Sequence, residues 1–97
     1  MDLLQVLAEP HRRRILHLAW DRELPAGEIA RHFDVTFGAV SQHLGVLREA
    51  GFVDVRKEGN RRLYRANHQR LGPYAQVLRS MWAATLDNLA RAAEAPE

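Results

Sequence analysis

The 97-residue sequence contains no cysteine. This absence excludes disulfide bridges, thiolate metal sites, iron–sulfur clusters and cysteine nucleophiles together. Long hydrophobic runs are also missing, because no apolar stretch approaches the roughly 18 residues that a membrane-spanning helix needs. The N-terminus, Met-Asp-Leu-Leu-Gln, lacks the basic start and apolar centre of a signal peptide. The expectation is therefore a cytoplasmic protein that does not associate with membranes.

Residue sets that carry catalysis or bind metals are missing as well. The sequence has no paired carboxylates, no nucleophile–base set and no glycine-rich phosphate loop. Ser41 and His43 lie two positions apart in a predicted helix, so their side chains do not face each other. The five histidines are dispersed, with no two spaced i, i+4: His11, His17, His32, His43 and His68. We therefore expect no catalytic residue, no metal site and no cofactor.

The residues that are present indicate one small globular domain over residues 1–97. Apolar residues make up 46% of the chain, and its length supports a single thin core. Fourteen basic and twelve acidic residues leave a net charge of +2. The position of these charges matters more than their sum, because basic side chains crowd into residues 56–65 while acids are frequent near the C-terminus.

The most informative stretch runs from Thr36 to Gly51. Thr36 suits a helix N-cap, because its hydroxyl can accept the N–H of Ala39. Gly51 can adopt the left-handed conformation that ends helices. Between them, spacings of three and four predict one apolar helical face, formed by Phe37, Val40, Leu44 and Leu47.

The opposite face of this helix is polar and free of acids until Glu49. Because its groups are short and neutral or basic, the face can lie against a DNA groove without electrostatic repulsion. A plain solvated surface is the alternative interpretation. The residues on this face are Ser41, Gln42, His43, Gly45 and Arg48.

Shorter helices are predicted before this one. Residues 3–7 form an amphipathic segment, residues 10–20 a second helix with Arg12 outward or at its edge, and residues 26–33 a brief third helix. Residues 21–25 are expected to be a loop. Two helices joined by a short turn, with the second better capped and polar outside, are typical of a helix-turn-helix over residues 26–51.

A basic hairpin is predicted over residues 52–66. Val53 and Val55 alternate with polar residues, which is a strand signal, and residues 58–60 supply turn chemistry. Residues 62–66 form the returning strand. A basic hairpin after a helix-turn-helix is a wing, and its clustered cations indicate contact with phosphates, although a solvated hairpin is the alternative.

The last predicted helix covers residues 73–93, after a loop at 67–72. Its apolar stripe is too long for a small core to cover. We expect a second copy to cover it together with residues 1–8, which makes a homodimer; packing within one chain is the alternative. The expected interface residues are Leu3, Leu4, Leu7, Tyr74, Val77, Leu78, Met81, Trp82, Leu86 and Leu89.

Four stretches together resemble the ArsR family of bacterial winged-helix repressors, over nearly the whole chain. They are Ala8-Glu-Pro-His-Arg-Arg-Arg-Ile-Leu, Gly27-Glu-Ile-Ala, Thr36-Phe-Gly-Ala-Val-Ser-Gln-His-Leu-Gly-Val-Leu-Arg-Glu-Ala-Gly-Phe-Val and Glu58-Gly-Asn-Arg-Arg-Leu-Tyr-Arg. The resemblance implies a mainly α fold with a small β-hairpin, in the order α-α-α-α-β-β-α. It also implies a dimer that binds a two-fold symmetric operator in double-stranded DNA and represses transcription.

The sequence departs from the metal-sensing members of that family. Their thiolate pair would fall near residues 27–32, where this chain has none, and Asp87 stands alone on the last helix. The chain therefore resembles the metal-free branch, and whether a small-molecule effector binds is left open. Gly38 replaces a frequent Ser or Pro, which lets the backbone approach DNA closely. Pro25 replaces a hydroxyl cap.

The predicted DNA contacts follow if the helix that begins at Thr36 enters the major groove. Gln42 is expected to read a base, because its amide can pair with adenine N6 and N7. Arg12, Lys57, Arg61 and Arg62 are expected to hold the phosphate backbone. A winged-helix module that binds only proteins remains the alternative. The remaining expected contacts are Thr36, Gly38, Ser41, His43, Arg48 and Asn60.

Overall fold

The computed structural model describes the backbone of residues 1–94 and the side chains of residues 1–84. Helices dominate, and a small antiparallel sheet lies among them, which confirms the predicted fold class. None of the described helices is apolar over a stretch long enough to cross a membrane. The elements in chain order are α1 (Leu3–Ala8), α2 (Pro10–Leu18), β1 (Leu24–Pro25), α3 (Ala26–Ala30), α4 (Phe37–Ala50), β2 (Val53–Glu58), β3 (Arg61–Ala66), α5 (His68–Leu71) and α6 (Pro73–Glu94).

Local capping chemistry sets where the helices begin and end. Asp2 caps α1 in a reciprocal capping box with Gln5, and the Glu9 carboxylate accepts the His11 N–H at the start of α2. The Thr36 hydroxyl accepts the Ala39 N–H at 3.1 Å. Gly51 ends α4 with φ +81°. The predicted bounds of α4 are therefore confirmed.

The sheet has three strands in the order β1-β3-β2. The wing hairpin pairs Val53 with Ala66 at its base and Glu58 with Arg61 at its tip. Residues 21–25, which we predicted as a loop, include β1, whose Leu24 pairs with Tyr64. That prediction was wrong because a two-residue strand carries no periodicity, and Pro25 suits only an edge strand, where a missing N–H is tolerated.

Two further local predictions need correction. The third helix ends at Ala30, and the predicted remainder to residue 33 forms turns, in which His32 and Phe33 donate to carbonyls three residues back. Residues 67–72, predicted as a loop, contain α5, which is capped by the Asn67 side chain. The order implied by the family resemblance therefore lacked β1 and α5.

The core lies where α1, α2, α3 and α4 meet the sheet. Val40, Leu44 and Leu47 bury one face of α4, and truncating either leucine to alanine is expected to cost about 2–5 kcal/mol. Phe37 does not belong to that face, since 56% of it is exposed, and its predicted burial was wrong. The largest fully buried side chains are Phe52, Ile15, Leu16, Ile29, Leu44, Leu47, Leu71 and Val40.

The first turns of α6 attach that helix to the core. Leu78 is 2% exposed, and Leu7 on α1 is 6% exposed. Tyr74 packs edge-on against Phe52. The Trp82 ring stacks on His17, with centroids 4.2 Å apart. Leu7 and Leu78 therefore belong to the core of a single chain, although both also line the groove between α1 and α6, and their place at a dimer interface stays a prediction.

Candidate nucleic-acid interface

The outer face of α4 presents hydrogen-bonding groups to solvent. Ser41, Gln42, Gly45 and Arg48 are all exposed. Val40, Leu44 and Leu47 hold the helix from behind, so this face is carried on a rigid support. The first acid on α4 is Glu49, in its last turn. A helix with such a face can enter a major groove and offer an amide, a hydroxyl and a guanidinium to bases or phosphates.

The N-terminal end of α4 lies beside the tip of the wing. Phe37, Asn60, Arg61 and Arg62 line one groove of about 500 Å³ together with Arg31 and the first residues of α3. The groove thus joins α3, α4 and the wing in one continuous surface. Thr36 and Gly38, both exposed, lie next to Phe37 in the chain. An added Cβ at Gly38 would meet only the Thr36 hydroxyl, at 3.9 Å, so the backbone there is open to an approaching duplex.

The cations of the wing are not equivalent. Arg56 donates two hydrogen bonds to the Glu23 carboxylate, at 2.9 and 2.8 Å, and its Nη1 lies 3.0 Å from Glu58. The hydrogen bond with Glu23, followed by that with Glu58, raises the pKa of Arg56 above its usual value. Arg56 is thereby occupied within the protein.

Three other cations nearest the tip of the wing are exposed and make no ion pair with any residue in the described part of the chain. They are Lys57, Arg61 and Arg62. Lys57 pairs across the hairpin with Arg62, and Arg61 lies at the tip opposite Glu58. Because phosphates are anionic, exposed cations without a protein partner are the groups that can neutralise a DNA backbone.

Arg12 lies at the edge of this surface, in a groove that it shares with Gln42, His43 and Gly45. Its side chain is only 8% exposed, and its Nη1 lies 3.2 Å from the Met1 sulfur. We predicted that Arg12 lies outward or at the edge of α2, and the structure places it at the edge, enclosed against α4 beside His43. A guanidinium so enclosed is a poor phosphate ligand.

His43 lies at the edge of the outer face, in the same groove as Gln42 and Gly45, and contacts α2. Its Nε2 lies 3.4 Å from Glu9, and its ring stacks on His11 with an interplanar angle of 6°. Burial, opposed by the Glu9 charge, lowers the pKa of His43. Burial acts to raise the pKa of Glu9, but hydrogen bonds from the His11 side chain and backbone outweigh it and hold the pKa below its usual value. These contacts occupy the His43 ring within the protein, and its contact with DNA stays a prediction.

An apolar patch lies on the side formed by α1 and α6. Leu4 is 66% exposed, Val77 56%, Met81 43% and Leu3 40%. Leu4, Val77 and Met81 line a groove of about 230 Å³, in which Arg13 is the only charged residue among the side chains that the structure describes. The Arg13 guanidinium donates to the carbonyls of Leu7 and Ala8, each at 2.9 Å, and so ends α1. Leu86 and Leu89, also predicted for an interface, lie outside the described side chains.

Two members of the groove between α3, α4 and the wing were missed by sequence reasoning. Phe37 satisfied the apolar period of α4, so it was assigned to the core. Arg31 follows the last residue of α3 and belongs to no run of cations. Its nearness to Arg61 and Arg62 depends on how α3 packs beside the wing, and no local signal carries that information.

Comparison with known proteins agrees with this geometry. Residues 7–56 match a family model described as a helix-turn-helix domain. The chain is 34% identical over 87 residues to the biofilm growth-associated repressor of Agrobacterium fabrum, an alignment that covers 90% of this chain and 74% of the repressor. It is 31% identical over 80 residues to the transcriptional activator HlyU of Vibrio cholerae, which covers 82% of this chain and 74% of HlyU.

A solved structure extends the similarity over the full length. A possible transcriptional regulator for arsenical resistance is 42% identical and superposes with a TM-score of 0.72, covering 100% of this chain and 99% of that one. These relatives are transcriptional regulators, and the resemblance noted from the sequence motifs is confirmed. The chain belongs to the ArsR family of winged helix-turn-helix proteins and is a DNA-binding transcriptional regulator.

Proposed function

We propose that this protein is a dimeric repressor that reads a two-fold symmetric operator with α4. The observation that best supports the proposal is that α4 and the wing form one continuous surface. The acid-free face of α4 and the exposed cations of the wing meet through the groove that Phe37, Arg61 and Arg62 line. A duplex in contact with this surface can place a major groove on α4 and the adjacent phosphates on the wing.

Within this arrangement Gln42 is the base reader. Its side chain is exposed in the second turn of α4, and a carboxamide can pair with both N6 and N7 of adenine. Ser41 and Thr36 supply hydroxyls near the same end of the helix. Phe37 adds an apolar contact suited to a thymine methyl group. Arg48, in the last turn, and Lys57, Arg61 and Arg62 on the wing contact phosphates.

A second copy covers the apolar patch of α1 and α6. Leu4 and Val77 are each more than half exposed, and neither carries a polar group to satisfy in water. Burying such a patch against its symmetric equivalent releases water from apolar surface, which favours association. The two α4 helices then address half-sites about 34 Å apart, or a multiple of that distance. Chromosomal DNA is the target, so the site of action is the cytoplasm.

Specificity is the property that tests the role of α4. Genomic fragments selected by the purified protein define the operator, and fluorescence anisotropy measures affinity for it and for random duplex. We expect Gln42→Ala to weaken operator binding by ~1–3 kcal/mol and to change random binding little. Gln69→Ala, an exposed glutamine on α5, is the matched control and should change neither affinity.

Equal losses on operator and random duplex would show that Gln42 does not read sequence. The sign of regulation needs a second measurement, since the Agrobacterium relative is a repressor and HlyU an activator. In a reporter strain, deletion of the gene for this protein should raise transcription from the selected operator. A fall in transcription would instead assign an activator.

A further inference from the structure

The fold brings His43 on α4 to Glu9 and His11 on α2, and all three side chains can bind metals. Glu9 and His11 lie at the start of α2, and His43 lies in the middle of α4. One ligand atom from each comes within 4.8 Å of the others. The sequence analysis excluded a metal site because the histidines are dispersed along the chain, and that reasoning did not anticipate this contact between helices.

We propose that Glu9, His11 and His43 bind a divalent transition-metal ion, of which Zn²⁺ is the test case. Imidazole nitrogen suits zinc, copper, iron and nickel, and two histidines with one carboxylate leave a coordination position open for water. Such a site differs from the thiolate and last-helix sites considered above, since it uses neither α3 nor α6.

The present distances are close to those of a coordinated ion. Zinc lies about 2.0–2.2 Å from nitrogen and oxygen ligands, so tetrahedral ligands are about 3.3 Å apart. The His11 Nδ1 lies 3.0 Å from Glu9, and the His43 Nε2 lies 3.4 Å from Glu9. These two distances reach different carboxylate oxygens of Glu9, Oε1 and Oε2, and the three ligand atoms lie within 4.8 Å of one another, so the separations longer than about 3.3 Å have to shorten. The two rings are parallel, with centroids 5.5 Å apart, and an imidazole lone pair lies in its ring plane, so at least one ring has to rotate before both nitrogens face one ion.

Exposure and charge also suit an ion at this position. The side chains of His11, Glu9 and His43 are 42%, 27% and 24% exposed, so an ion can enter and keep a water ligand. Glu9 supplies the negative charge, and burial favours the neutral imidazole of His43 that a metal requires. The Arg12 guanidinium opposes a cation here, which limits affinity without removing a ligand.

An ion bound in this cluster would connect the first turn of α2 to α4. Since it would bind the folded chain and not the unfolded one, it would stabilise the fold in proportion to its occupancy. The alternative interpretation is that these three side chains form only hydrogen bonds, which hold α4 to α2 without any ion. The two interpretations differ in whether metal itself is bound, and neither depends on the operator or on the dimer.

Metal binding by the full chain, prepared without a histidine tag, tests the proposal. Zn²⁺ is titrated by calorimetry and Co²⁺ by its visible absorption, and the unfolding temperature is recorded with Zn²⁺ and with chelator. We expect one ion per chain, with Co²⁺ absorption typical of nitrogen and oxygen ligands and a higher unfolding temperature with Zn²⁺.

The variants distinguish a site from surface adsorption. Glu9→Gln keeps an acceptor for the His11 N–H but loses the carboxylate ligand, and His43→Gln keeps a polar group facing Glu9. Each should weaken Zn²⁺ binding by at least about tenfold, which is 1.4 kcal/mol. His32→Gln, an exposed histidine after α3, is the matched control and should bind as the wild type does.

Three results would overturn the proposal. The first is absence of Zn²⁺ binding at about 100 μM, which corresponds to binding weaker than that of most specific sites. The others are unchanged binding in Glu9→Gln and His43→Gln, and an equal loss of binding in His32→Gln. If His43→Gln fails to fold in chelator, His11→Gln replaces it, because His11 lies in the first turn of α2 and is less enclosed. Operator binding without metal is measured separately, so a failure here leaves the proposed function standing.

Discussion

Replacing Arg61 by alanine should make operator binding less dependent on salt. Arg61 lies at the tip of the wing, is exposed and has no ion pair with the residues that the structure describes. A cation that meets a phosphate displaces a condensed counterion, and this release is the origin of the salt dependence. Arg56 differs, since Glu23 and Glu58 already hold its guanidinium.

The size of the effect follows from the number of wings. Each phosphate contact contributes about −0.9 to the slope of log K against log salt concentration, and a dimer presents two copies of Arg61. The slope should therefore become less steep by about 1.8 in Arg61→Ala. Between about 50 and about 200 mM salt, the wild type should lose about tenfold more affinity than the variant loses. Operator and random duplex should show the same change, because phosphates carry no sequence.

Fluorescence anisotropy over a series of salt concentrations measures these slopes. Arg22→Ala removes the same charge from the loop before β1, beside Trp20 and Trp82, and controls for net charge. It should leave the slope close to that of the wild type, and Arg56→Ala should change the slope less than Arg61→Ala does. A wild-type slope in Arg61→Ala, or an equal flattening in Arg22→Ala, would refute the assignment of the wing tip to phosphates.

Three further predictions concern assembly and stability. Val77→Glu should weaken self-association by about 2 kcal/mol or more, measured by sedimentation, because it buries a carboxylate in an apolar interface. Val35→Glu, at an exposed valine elsewhere, should not weaken it. Dimers unaffected by Val77→Glu would place the interface on another surface. Gly51→Ala should lower the free energy of unfolding, measured in urea, by about 1 kcal/mol or more, since φ is +81° and the new Cβ would lie 2.9 Å from the Arg70 side chain. Gly45→Ala, with open space around the new Cβ, should stabilise α4 by ~0.5–1 kcal/mol. Equal effects at the two glycines would contradict this reasoning. Burial, followed by the charge of Arg14, lowers the pKa of His17 below 6.5 in the folded chain. As the pH falls, His17 is therefore protonated first in the unfolded chain, and the stability of the fold decreases below about pH 6.5. His17→Phe should reduce the loss of stability between about pH 7.5 and about pH 5, and an unchanged loss would show that His17 is not a cause.

Much of α4 could be predicted from the sequence because its signals are local. The Thr36 cap, the spacing of Val40, Leu44 and Leu47 and the left-handed Gly51 all act within one or two helical turns. The wing was accessible for the same reason, since alternation and turn chemistry are properties of neighbouring residues. With the family motifs added, these segments were enough to reach a winged helix-turn-helix regulator.

The surface that we propose to contact DNA was only partly predictable. Phe37 fits the apolar period of α4 but lies one turn beyond the part of the helix that the core covers, so it is exposed. Arg12 reads as a surface cation on α2 and is enclosed because α4 packs over it. Arg31 joins the wing cations only through the packing of α3. For each of these residues, the packing of one element against another decided its exposure or its neighbours, and the pattern within a single helix did not.

By itself the sequence determined which segments become helices or the wing, because capping, hydrophobic period and turn chemistry are written into adjacent residues. Only the tertiary structure decided which polar groups share a surface. It occupied Arg56 with Glu23, left Arg61 and Arg62 exposed, added Leu24 to the sheet beside Tyr64, and brought His43 to Glu9 and His11. The physical reason is that such contacts join residues some thirty or more positions apart, and their geometry exists only after the core has closed.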